Sequence, residues 1–243
     1  MTIKILHMYH DLMNLYGEYG NVKILEHHLK DIGIEVEINK KTIGDNINLN
    51  DYDFIYMGCG TEKNQAIALE DLKKYKEDLK KYIDSNKFAL FTGNSFEMLG
   101  KSIDEKEALN IFEFEVSRTK DRITSDVILK SKYLKNEVVG FINKMSNITN
   151  NQNPLFEVSF GIGENENNDF EGLKYKNIYG TYVSGPILVR NPELLKTLIL
   201  GICEVKDKRF KCKVNTYKNE EDAYMLVLSE LMHLRDVPQK YNL

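Results

Sequence analysis

Residues 88–102 read FALFTGNSFEMLGKS, and the fold turns on how that stretch is read. Phe88, Ala89, Leu90 and Phe91 form an unbroken apolar run of the kind a fully buried strand presents. Thr92, Gly93, Asn94 and Ser95 carry turn chemistry. Phe96, Glu97, Met98 and Leu99 then resume at helical spacing before Gly100 closes the segment. Strand, sharp turn and helix together make a nucleophile elbow, the geometry that lifts one side chain above the end of a sheet. Such a turn normally presents Cys or Ser at its apex, so the question is which residue stands there.

Working outward, apolar runs at 3–8, 34–38 and 53–57 predict three more strands, and amphipathic patterns predict helices over 20–30 and 62–82. Strands separated by helices of that length imply parallel βαβ units. The second half changes character. Strands are predicted at 123–129, 138–141, 155–160 and 178–183 with short connections, and helices at 192–203 and 220–234. The polar tracts 145–154 and 164–169 read as surface loops. With no repeat and no dividing linker, the expectation is a single α/β domain over residues 1–243. It has a central, mainly parallel sheet flanked by helices and an antiparallel extension.

Composition narrows the function classes. The chain has 243 residues, enough to bury a sizeable core, with 42% hydrophobic and 29% charged residues and no disorder signature. Its 33 basic and 37 acidic residues give a net charge of −4, so no basic field for nucleic acid is implied. No apolar run reaches the ~18 residues that suggest a membrane span, and the start has no signal-peptide shape, so a soluble cytoplasmic protein is expected. Three scattered cysteines, Cys59, Cys203 and Cys212, suggest neither a disulfide framework nor a zinc site, and no cofactor is implied.

Several stretches together carry a family resemblance. They are Asp11-Leu12-Met13-Asn14-Leu15-Tyr16-Gly17 with Gly20-Asn21, then Gly58-Cys59-Gly60-Thr61-Glu62-Lys63-Asn64-Gln65, then Val139-Gly140-Phe141-Ile142-Asn143. Glu171-Gly172 with Tyr175-Lys176-Asn177, Gly180-Thr181-Tyr182-Val183-Ser184-Gly185-Pro186 and Asn191-Pro192 complete the set. In this order the chain resembles class I glutamine amidotransferases of the cobyric-acid-synthase type, and within them the glutaminase subunit of lipid II isoglutaminyl synthase. The resemblance implies a flavodoxin-like sheet. It also implies a heterodimer with a Mur-ligase-type, ATP-using subunit in cell-wall precursor modification, with glutamine or a related small molecule as ligand.

The family's elbow reads Gly-x-Cys-x-Gly-x-Gln-Leu-x-x-Gly. Anchored on Leu99-Gly100, with Glu97 in place of the Gln, it puts the nucleophile position at Gly93. The family's Tyr-x-His-Gly-Pro puts the base position at Ser184, ahead of Gly185 and Pro186. Glutaminase chemistry needs a thiolate to attack the amide and an imidazole to carry its proton to the leaving ammonia. No Cys lies between Cys59 and Cys203 and no His between His28 and His233, so both side chains are missing whatever the register.

Other residues must then be weighed. Ser95 reads as a helix cap or as a displaced nucleophile, and Glu97 as the partner of Asn94 in a capping box. Cys59 stands in the Gly58-Cys59-Gly60 turn, which by resemblance donates a backbone N–H to the oxyanion; its thiol is either a small buried hydrophobe or a relocated nucleophile. Arg122 is either a carboxylate clamp beside the pocket or an exposed charge at a strand entry. Lys63 reads as part of a solvated face, and His27 and His28 sit on a lysine-rich helix face. His10 reads as a solvated loop residue or one facing a ligand, and no histidine has metal-ligand spacing. Gly58, Cys59, Gly60, Asn94, Arg122 and Gly185 are therefore the candidate binding residues.

Overall fold

In the computed structural model, which describes residues 1–167, 169–211 and 213–237, the first half alternates strand and helix as its periodicity predicts. The elements are β1 (Thr2–Met8), α1 (Tyr19–Asp31), β2 (Glu35–Lys41), β3 (Phe54–Met57), α2 (Glu62–Leu72), α3 (Lys76–Asp84) and β4 (Phe88–Thr92). The second half holds β5 (Ser102–Ile103), β6 (Lys106–Glu107), β7 (Glu115–Lys130), β8 (Val138–Thr149), β9 (Phe156–Phe160) and β10 (Phe170–Glu171). Then come β11 (Leu173–Tyr175), β12 (Ile178–Thr181), β13 (Val183–Ser184), α4 (Ile187–Arg190), α5 (Pro192–Lys206) and α6 (Lys218–Asp236). Cys212 lies outside the described residues.

The central sheet runs β11-β12-β4-β3-β1-β2 and is parallel except for β11, which pairs antiparallel with β12. β3 and β4 are buried at every position, as strands covered on both faces must be, and their sequences are correspondingly unbroken in apolar character. β2, at the edge, alternates between exposed and half-buried positions. α1 turns Val22, Leu25 and Leu29 inward at three- and four-residue steps. The second sheet is built on the antiparallel pair β7–β8; the other edge of β7 carries β9 and then β10 at its C-terminal end and β5 and then β6 at its N-terminal end. β13 pairs with β8 and so joins the two halves of the molecule at residues 183 and 184.

Three expectations are corrected. The helix at 62–82 is broken by a 3-10 turn, Lys73–Tyr75, where the Tyr75 ring is buried and its hydroxyl donates to the carbonyl of Asp45. The segment after the elbow is a 3-10 helix, Gly93–Leu99, rather than an α-helix. The tract 145–154 is not a loop throughout: β8 continues to Thr149, and β7 starts at Glu115, well before the predicted strand. The alternation on β8 is regular, but its inward positions include Lys144 and Ser146, so the apolar pattern that announces a strand is absent there.

Candidate functional site

Gly93 sits directly after β4 with φ +59°, a left-handed conformation in which glycine carries no steric penalty. A Cβ built there would overlap the Cβ of Cys59 and lie 3.3 Å from its Sγ. The space above the elbow is therefore filled from the neighbouring strand loop. Asn94 ties the two loops together: its Oδ1 accepts from the Gly60 N–H at 3.0 Å and its Nδ2 donates to the Gly60 carbonyl at 2.9 Å.

Ser184 reaches the same place on β13. Its Oγ donates to the carbonyl of Phe141 at 3.4 Å, and the next residue, Gly185, gives its N–H to Glu18 at 2.8 Å. Cys59, Gly93, Asn94, Arg122, Lys144 and Ser184 all line one cavity of about 120 Å³. That is below the ~300–1,000 Å³ of an ordinary small-molecule pocket.

Neither alternative nucleophile has a base. Ser95 is fully buried and its hydroxyl donates to two carbonyls, Met57 at 2.9 Å and Thr92 at 2.8 Å. It does not accept from a helix N–H, so it is no cap, and Asn94 and Glu97 form no capping box. Among the described residues Cys59 Sγ donates only to the Leu15 carbonyl, at 3.9 Å, and burial, with the negative charge of Glu18, pushes its thiol well above the ordinary range. A thiol held protonated and buried is a poor nucleophile.

Two buried carboxylates organise the surroundings. Glu18, fully buried at the start of α1, accepts from the Tyr56 hydroxyl at 2.6 Å, from Thr92 Oγ1 and from the Gly185 N–H. Burial raises its pKa. Glu97, also fully buried, lies 3.1 Å from the Arg118 guanidinium. It accepts from Gln65 Nε2 at 2.6 Å, from Tyr182 OH at 2.9 Å and from Ser146 Oγ. Arg118 also donates to Gln65 Oε1. Lys144 is 4% exposed, sits 5.1 Å from the Tyr182 ring centroid, and is brought down to about 8 by burial.

Arg122 lines the cavity but is engaged by the chain itself, at 3.1 Å from Glu62 and 2.8 Å from Asn143 Oδ1. It lies within β7, beside the register shift between Arg118 and Ile123, and not at a strand entry. The arginine that reaches the buried Glu97 is Arg118, itself half-buried, which the sequence did not single out. Lys63 is exposed, as its solvated-face reading expects, and His28 is buried 3.0 Å from Glu220 of α6. His10 is half-buried rather than solvated. Glu18 had one usable signal, its place beside Gly17 and Gly20 in the first motif. Tyr182 had its place in the Gly180–Pro186 motif; Arg118 and Lys144 had none, because Arg118 meets Glu97 21 residues away in sequence and Lys144 is buried by residues no local pattern brings to it.

Residues 4–192 match the CobB/CobQ-like glutamine amidotransferase domain family. The chain is 32% identical over 216 residues to the lipid II isoglutaminyl synthase (glutamine-hydrolyzing) subunit GatD of Staphylococcus aureus (strain N315), covering 87% of this chain and 88% of that protein. It is 31% identical over 205 residues to the GatD subunit of Streptococcus pneumoniae (strain ATCC BAA-255 / R6), covering 81% of this chain and 79% of that one. PurLQS of Thermotoga maritima superposes with a TM-score of 0.59 at 14% identity, over 85% of this chain and 100% of its own. A glutamine amidotransferase from the same organism gives 0.52 at 10% identity, over 96% of this chain and 93% of its own. At such identities these two likenesses show the fold alone: a flavodoxin-like α/β sheet with antiparallel additions.

Proposed function

The chain belongs to the CobB/CobQ-like glutamine amidotransferase family, and from that premise we propose that it is a catalytically impaired subunit of a Mur-ligase-type amidating enzyme. Its place is in lipid II modification in the cytoplasm, as one amidotransferase-like domain over residues 1–243. The observation that carries the reading is the overlap a Cβ at Gly93 would make with Cys59. The position assigned to the nucleophile has no side chain, and the room such a side chain needs is taken. Ser184, at the position assigned to the base, is engaged with a backbone carbonyl and has an alcohol's negligible basicity. Loss of nucleophile and base together removes the covalent route through a thioester and leaves only positioning.

What persists is framework. The elbow, the Gly58–Gly60 strap held by Asn94 and the Glu18 brace to Gly185 are all intact, which suits a subunit that shapes its partner. Among the described residues no helix is long and apolar enough to cross a membrane. The relatives' name as subunits of a synthase supports the partnership.

The test is ammonia release from glutamine by the purified chain, alone and after co-expression with the Mur-ligase-type protein of the same cell. The expected outcome is co-purification of the pair with no release above background from this subunit. Release that Ser95→Ala or Cys59→Ala abolishes would overturn the impairment. Failure of the two proteins to associate would overturn the partnership.

A further inference from the structure

A second hollow, of about 660 Å³, opens at the carboxyl ends of β1 and β2 against α1, separate from the cavity over the elbow. Its wall includes His7 from β1, His10 and Asn14 from the following loop, Tyr19 and Val22 from α1, and Lys40 from β2. The volume falls within the ~300–1,000 Å³ range of small-molecule sites, and the carboxyl edge of parallel strands is where α/β sheets take ligands.

Two imidazole nitrogens among these residues are buried without a hydrogen-bond partner among the described residues: His7 Nε2 and His10 Nδ1. His7 as a whole is 2% exposed. The two rings lie 6.1 Å apart between centroids, at 63°. A buried polar atom with no partner is costly to leave unsatisfied, so two in one wall call for an occupant. Electrostatics selects its sign. Lys40 makes no ion pair among the described residues and, with His10, lowers the basicity of His7 beyond the effect of burial. Burial and these two neighbours bring His7 down to about 4, so its ring is neutral near pH 7 and carries one N–H. A cation is repelled by Lys40 and meets only two imidazoles, for no group of three or more metal-binding side chains gathers among the described residues. Glu26, also in the wall, is already held by Lys23 at 2.9 Å and Lys30 at 2.7 Å. Beside the charge stand the half-exposed ring of Tyr19 and the apolar Val22 and Ile38.

We propose that this hollow binds a small organic anion carrying a planar ring, its phosphate or carboxylate held by Lys40, His7 and His10 and its ring against Tyr19. An N–H on Nε2 of the neutral His7 ring and an N–H on His10 Nδ1 donate to the anion. Asn14 lines this hollow while the next two residues, Leu15 and Tyr16, line the cavity over the elbow, so one short loop borders both.

The test follows imidazole nitrogens by NMR in the full chain during separate titrations with AMP, nicotinate, inorganic phosphate and zinc chloride. AMP or nicotinate should shift the His7 and His10 signals saturably, and whichever binds more tightly identifies the anionic group as phosphate or carboxylate. Inorganic phosphate, lacking the ring, should bind at least fivefold more weakly than AMP if AMP is the better ligand. Lys40→Ala, a surface change that leaves folding intact, should weaken binding at least fivefold. His7→Phe, which keeps ring volume and removes the nitrogens, should weaken it further. Absence of saturable shifts with AMP and nicotinate, affinity unchanged in Lys40→Ala, or saturation by zinc alone would each overturn the proposal.

Discussion

A cysteine placed at 93 would meet two separate obstacles. The backbone there lies at φ +59°, which costs a residue with a Cβ about 1–2 kcal/mol, and the Cβ itself would overlap Cys59. Overpacking in a tight interior adds roughly 1–3 kcal/mol. Gly93→Cys is therefore expected to lower the unfolding free energy by about 2–5 kcal/mol in urea, and to leave the chain without glutaminase activity. Cys59→Gly removes the second obstacle and not the first. In the double variant the overlap disappears, so its loss of stability should be smaller than the sum of the two single losses by at least ~1 kcal/mol, as coupling between touching side chains predicts. Simple additivity would show that the two positions do not compete for the same space. The absence of Cys and His from the assigned positions was legible from residue identity alone. That Cys59 fills the space was not, since it depends on two loops from different strands meeting over one point.

At the scale of elements, the 3-10 segment after the elbow is tied to the second sheet through Glu97. Arg118 of β7 and Ser146 of β8 both reach it, with Gln65 from α2 and Tyr182 between β12 and β13. Glu97 is fully buried, so removing its cation leaves a charge with only neutral hydrogen-bond donors, and because Arg118 is itself half-buried the cost falls toward the lower end of about 3–5 kcal/mol. Arg122 pairs with Glu62 where both side chains are about 40% exposed, and such a pair is worth about 0–1 kcal/mol. Arg118→Ala should thus be markedly less stable in urea denaturation, and Arg122→Ala close to the parent; equal losses would show that burial does not separate them. The sequence pointed to Arg122 by motif position because burial is set by how β7 bends at its register shift, which no local pattern records. The central strands were readable because each is apolar throughout. The far half of β8 was not, since Lys144 and Ser146 face inward to serve this polar cluster.

Across the whole molecule, buried ionisable groups predict how stability follows pH. Glu171, on β10 of the second sheet, accepts from the Tyr182 N–H at 2.6 Å and from Thr181 Oγ1 at 2.8 Å, where the central sheet ends, so it bridges the two sheets. Burial raises it from 4.5 to about 8, and raises Glu164 to about 7. A carboxyl whose folded pKa lies above its unfolded one holds its proton longer in the native state. Its contribution is full below about 4.5 and is lost as pH rises through the folded value. His7 acts the other way: brought down from 6.5 to about 4, it makes stability rise with pH across that interval and is silent above it. Lys144, lowered from 10.5 to about 8, makes stability rise only above about 8. The interval from about 6.5 to 8 is therefore governed by Glu171 and Glu164. The melting temperature should fall as pH rises through that interval. Glu171→Gln, which keeps the shape and cannot ionise, should flatten the part of the fall approaching pH 8, while Glu164→Gln should act mainly below pH 7. A melting temperature that climbs from pH 6.5 to 8, or a slope untouched by Glu171→Gln, would mean that these carboxyls reach enough water to ionise normally and that the junction between the sheets is wetter than its packing.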